Sequence, residues 1–123
     1  MYSINVKLIT LFFLFNIIAC NEVNDERHKM LAGKWFLYKA EVDGAATDRL
    51  DGAIYEFVDG RIKTNIPQIG EGAYSLDQEN IIQKGEPNIK YAIEHLDDAQ
   101  LILKMTIRDI SFRLELGRDS LLE

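Results

Sequence analysis

From Gly33 to Leu116 apolar residues recur at every second position, in short runs broken by turn-forming residues. That period belongs to strands with one face on a core, because successive side chains of a strand point to opposite sides of the sheet. In "ISFRLEL", Ile110, Phe112, Leu114 and Leu116 share one face and Ser111, Arg113 and Glu115 the other. In "LILKMTI", Leu101, Leu103, Met105 and Ile107 alternate with Ile102, Lys104 and Thr106, and only Arg108-Asp109 separates the two runs, so a tight hairpin is expected. "IKYAIEHL" puts Ile89, Tyr91, Ile93 and His95 together, "GAYSL" puts Gly72, Tyr74 and Leu76 together, and "NIIQK" is a short, weaker run. "AIYEFV" and "RIKTNI" flank Asp59-Gly60, the strongest hairpin signal in the chain, and "GKWFLYKAEV" opens the series from Gly33 to about Val42. About eight strands in sequence order, with no long helix between any two, argue against parallel crossovers. An all-β antiparallel meander follows, either stacked as a sandwich or closed as an up-and-down barrel.

The N-terminus is of another kind. Lys7 is the sole charge in the first nineteen residues, and Leu8 to Ala19 is apolar apart from Thr10 and Asn16. A run of this length is too short to span a bilayer, which takes ~20 residues, and it has the build of a secretory signal. Asn21 to Lys29 is polar, with Glu22, Asp25 and Glu26 near its start, and reads as a tether. The expected division is therefore 1–19 signal peptide, 20–29 Cys20 and tether, and 30–123 one small domain. Removal of residues 1–19 from the 123 leaves about 104, enough for a single core, and the loss of Lys7 takes the formal charge from −6 to about −7. Such a domain has no basic stripe for nucleic acid and is held off anionic membrane surfaces.

Ile17-Ile18-Ala19-Cys20 resembles the lipobox of bacterial lipoproteins: an aliphatic residue, a tolerant position, a small residue, then cysteine. The resemblance implies cleavage before Cys20, lipidation of its sulfur and acylation of the new amino terminus, hence a membrane-anchored protein of the bacterial cell envelope, on the outer membrane. Two or more acyl chains make a stable anchor where one is marginal. The competing reading is a signal peptide with an incidental cysteine; a disulfide within the chain is excluded because Cys20 has no second cysteine to pair with.

Gly33-Lys34-Trp35 opens the first strand, and Arg118 continues the inward parity of Ile110, Phe112, Leu114 and Leu116 at the end of the last. A Gly-x-Trp at the first strand and an arginine packing across the tryptophan from the last resemble the two terminal signatures of lipocalins, and the chain resembles short lipocalin-like lipoproteins of Bacteroidota. The resemblance implies an eight-stranded antiparallel up-and-down β-barrel, plugged near Trp35 by a helical turn at Met30-Leu31. It departs from long lipocalins in lacking their Thr-Asp-Tyr loop and any helix after the last strand.

In such a barrel the tight turns at Asp59-Gly60, Asp77 to Glu79 and Asp97 to Ala99 fall at one end, and the longer connections at 43–52, 67–71 and 85–88 surround the other, which is the mouth. With the inward set fixed by Trp35, the residues expected near the mouth or mid-barrel are Leu37, Lys39, Tyr55, Phe57, Thr64, Tyr74, Tyr91, Met105 and Phe112. Apolar surface, hydroxyls and one cation suit an amphipathic molecule with a polar or anionic head. The competing expectation is a filled interior, since eight strands enclose a space that side chains can occupy. Phe36, Tyr38, Ala40 and Val42 are then outward and hint at an apolar patch.

Catalysis finds little support. His28 lies in the tether, and parity puts His95 inside near the closed end as a core residue. No metal-ligand spacing, nucleophile elbow or phosphate-cradling loop occurs in the sequence, so no catalytic residue, metal or cofactor is expected. Two functions remain: an anchored binder of a small hydrophobic or amphipathic molecule, and a ligand-free envelope interaction module, of inhibitor or assembly-factor type, acting through the outer surface of the barrel or its loops.

Overall fold

The computed structural model describes residues 25–119. The expected signal peptide at 1–19, Cys20 and the first part of the expected tether lie outside the described residues. Among those described, the strands are β1 (Gly33–Val42), β2 (Ala45–Thr47), β3 (Ile54–Val58), β4 (Arg61–Thr64), β5 (Glu71–Asp77), β6 (Asn80–Gln83), β7 (Ile89–Leu96), β8 (Gln100–Ile107) and β9 (Ile110–Gly117). They pair in the order β2-β1-β3-β4-β5-β6-β7-β8-β9, and β1 also pairs with β9, all antiparallel. Eight strands thus close into the up-and-down barrel, and β2 is a short flap on the far half of β1.

Turn chemistry sets the tight end connections. Asp59 and Gly60 have φ of 51° and 74°, and Arg108 and Asp109 have 51° and 67°. Both central residues are left-handed in each case, the backbone whose twist matches a two-residue hairpin. The segment 43–52, expected to be a loop, holds a further Asp-Gly of this kind: Asp43 (φ 50°) and Gly44 (φ 84°) turn β1 back into β2. Asp43 is also tied to β9, donating its backbone N–H to the Ser111 carbonyl at 2.8 Å and accepting the Ser111 N–H on Oδ1 at 3.0 Å.

Two β-bulges interrupt the alternation. In β1, Leu37 faces Leu116 but Lys39, not Tyr38, faces Glu115; in β7, Ile93 faces Leu103 but His95 faces Ile102. An extra residue in one strand bends it and reverses the inside–outside sense of everything after it. Lys39 is therefore outside and exposed, and Ala40 is inside and buried, the reverse of both expectations. His95 is likewise exposed on the surface, not in the core, and its Nε2 lies 2.6 Å from Asp97 Oδ2.

The chain divides into a unit ending at Met30 and one beginning at Leu31. Residues 25–31 are helical, so the helix takes in residues 25–29 of the expected tether. Asp25 and Glu26 stand in its first turn and Lys29 in its last, signs that complement the helix dipole. Leu31 itself is fully buried and belongs to the core of the second unit.

Candidate ligand site inside the barrel

The closed end is built around Trp35. Its indole Nε1 donates to the Leu31 carbonyl at 2.8 Å, and the Arg118 guanidinium carbon lies 3.6 Å from its ring centre. Arg118 also donates to the Lys34 carbonyl at 3.2 Å, and its partial burial pulls its pKa down. Gly33 makes room for this contact: its φ of +105° suits glycine, and a Cβ there would stand 3.3 Å from the Arg118 guanidinium. The three terminal signature residues thus meet. Phe57 and Tyr74 also lie at this end, their rings edge-to-face at 5.3 Å, because Phe57 pairs with Gly33 and Tyr74 bonds to the Gly60 carbonyl beside the β3–β4 turn.

The middle of the barrel is barred by two tyrosines. Tyr55 on β3 and Tyr91 on β7 stand on strands opposite each other in the ring of eight, both fully buried, and their hydroxyls are 3.4 Å apart. Their rings meet edge-to-face at 5.8 Å. The Tyr91 hydroxyl donates to Gln83 Oε1 at 3.0 Å, and Gln83 Nε2 donates to the Ile69 carbonyl at 3.3 Å. Thr64 faces Tyr55 from β4. Burial pushes the Tyr55 phenol well above its ordinary pKa and that of Tyr91 up to about 12. Both are therefore neutral at physiological pH, each able to donate and to accept.

Gln83 is the buried polar residue of the described barrel, 3% exposed, and sequence reasoning passed over it. The signal was present: in the run "NIIQK", Ile81 and Gln83 share a face, which puts an amide where the pattern calls for an apolar residue.

At the open end Met105 is buried and Phe112 half-buried, opposite one another on β8 and β9. Half-buried apolar side chains surround them: Leu50 in the β2–β3 connection, Ile69 in the β4–β5 connection, Ile89 at the start of β7 and Ile107 at the end of β8. Ala53, Ile66 and Met105 are buried toward this end, and Leu31, Trp35, Leu101 and Leu116 are fully buried toward the other, where Tyr74, Leu76 and Leu96 are half-buried. Of the expected lining residues, Thr64, Met105 and Phe112 are near the mouth, Leu37, Tyr55 and Tyr91 are mid-barrel, and Phe57 and Tyr74 are at the closed end. Lys39 is outside altogether, 3.6 Å from Glu41 and 3.7 Å from Glu115. Its charge belongs to a surface chain in which Arg113 bridges Glu115 and Glu94, each at 2.8 Å, and Lys104 reaches Glu94 at 3.1 Å, drawing the Glu94 pKa down.

No family model and no curated protein matches the chain. Among solved structures, it is similar to a lipocalin-like protein from Bacteroides uniformis, with a TM-score of 0.54 and 19% identity over 72% of this chain and 98% of that one. It is also similar to an uncharacterized protein from Bacteroides eggerthii, with a TM-score of 0.50 and 15% identity over 72% of this chain and 99% of that one. At such identities the likeness is one of fold, and the fold of this chain is the lipocalin-like β-barrel.

Proposed function

We propose that this protein is a lipid-anchored binding protein of the bacterial cell envelope, on the outer membrane, which holds a small hydrophobic or amphipathic molecule in the open half of its barrel. The observation that carries the reading is the asymmetry of the barrel: one end is filled by Trp35, Leu31 and Arg118, and the other is rimmed by half-buried Leu50, Ile69, Ile89, Ile107 and Phe112. Binding sites in barrels lie at such mouths, mostly apolar with a few convergent polar groups. The anchoring rests on the sequence around Cys20, and the role proposed is binding, without catalysis.

Native mass spectrometry of the mature chain carrying Cys20→Ser, purified without detergent and followed by organic extraction, tests the binding. A discrete bound mass supports it, and a bare protein even after exposure to an envelope lipid extract sinks it. Anchoring is tested separately: radiolabelled palmitate is expected to enter the wild-type chain in cells and not the Cys20→Ser chain.

A further inference from the structure

We infer that the bound molecule carries an uncharged hydrogen-bonding oxygen, as in an alcohol, ester or amide, and that Gln83 Nε2 holds it in place of the Ile69 carbonyl. The inference rests on the binding role proposed above and narrows the class of ligand.

Sequence parity put a cation, Lys39, inside the barrel, which would suit an anionic head. The bulge at Tyr38 turns that lysine out to Glu41 and Glu115. Arg118 is engaged at the closed end with Trp35 and the Lys34 carbonyl. What remains at mid-barrel is a neutral set, two phenols and a carboxamide, linked Tyr55 to Tyr91 to Gln83. A carboxylate buried there would have no opposite charge to offset its lost hydration, whereas a neutral oxygen needs only a donor.

The Gln83 amide is such a donor. It points to the open side, where its present acceptor is the Ile69 carbonyl at 3.3 Å, toward the long end of hydrogen-bond range. Ile69 belongs to a connection closed by its own bonds: Ile69 N–H and Gly70 N–H both donate to the Ile66 carbonyl at 3.1 Å, and Thr64 N–H donates to the Gly70 carbonyl at 3.0 Å. On binding, the Ile69 carbonyl would give up this bond and a ligand oxygen would take the acceptor's place. Gln83 is flanked by Tyr74 on β5 and Ile89 on β7, and the next inward position of β5 is Gly72, where a Cβ would stand 3.4 Å from Gln83 Cγ, so that side of its stem carries no side chain.

The test is a set of titrations of the mature Cys20→Ser chain with dodecanol, methyl dodecanoate and dodecanoate at pH about 8, where the carboxylate is ionised. The alcohol and the ester are expected to bind at least roughly tenfold more tightly than the carboxylate, and Gln83→Leu to abolish that preference. Equal or tighter binding of dodecanoate overturns the inference while leaving the binding role standing. Failure of all three probes and of an envelope lipid extract overturns both. Should Gln83→Leu not fold, the wild-type ranking of head groups decides alone.

Discussion

Arg118 stacks on Trp35 at 3.6 Å and so joins the end of the last strand to the start of the first. The contact is partly desolvated, and such a cation–π pair contributes about 1–2 kcal/mol. Arg118→Ala is expected to lower unfolding stability by roughly that amount or somewhat more, since the alkyl stem also covers the indole. Arg118→Lys, which keeps the charge but not the planar guanidinium, falls between the two. Urea unfolding followed by fluorescence of Trp35, the chain's single tryptophan, reads both, and a change under about 0.5 kcal/mol in Arg118→Ala would discount the contact.

The buried tyrosines predict a loss of stability in alkali. Tyr91 ionises near pH 12 in the folded barrel, and Tyr55 is shifted well upward too. In the unfolded chain both titrate near 10. Below pH ~10 both states keep the phenolic protons and the stabilisation is complete; above it the unfolded chain releases protons that the folded chain retains, so stability falls. For Tyr91 the loss runs from pH ~10 to ~12 and reaches about 2–3 kcal/mol. Denaturant midpoints measured across that range should fall, and less steeply in Tyr91→Phe. A flat profile would mean that the phenols are not buried as described.

Gly72→Ala is expected to cost more than about 2 kcal/mol, because the new methyl would lie 2.6 Å from the backbone carbonyl oxygen of Lys84, which no side-chain rotation relieves. Gly44→Ala meets nothing within 4 Å and carries only the penalty of its positive φ, about 1 kcal/mol. Comparison of the two urea midpoints separates crowding from backbone strain, and equal costs would contradict the close approach.

Lys39→Met should shift stability by no more than about 0.5 kcal/mol, since its ion pairs with Glu41 and Glu115 are exposed, and it should leave binding of any barrel ligand unchanged. A clear loss of affinity in this variant, measured by the same titrations, would return the lysine to the interior.

Strand period, turn chemistry and the terminal Gly33, Trp35 and Arg118 were legible in the sequence because each is local or depends only on strand order. Alternation needs no partner strand, and an Asp-Gly turn is determined by its own two residues; Asp43-Gly44 carries the same turn signal, but the three residues of β2 after it are too few to show a period. Where parity failed, it failed at Tyr38 and Glu94, the two bulges. A bulge is chosen by how neighbouring strands must bend and stagger to close the ring, and nothing in one strand's own residues declares it. Past each bulge the faces exchange, so Lys39 and His95 went out and Ala40 came in. By itself the sequence determined an antiparallel meander with an apolar inner face. Tertiary closure alone decided which polar groups that face encloses, a neutral chain of Tyr55, Tyr91 and Gln83, with the lysine left outside.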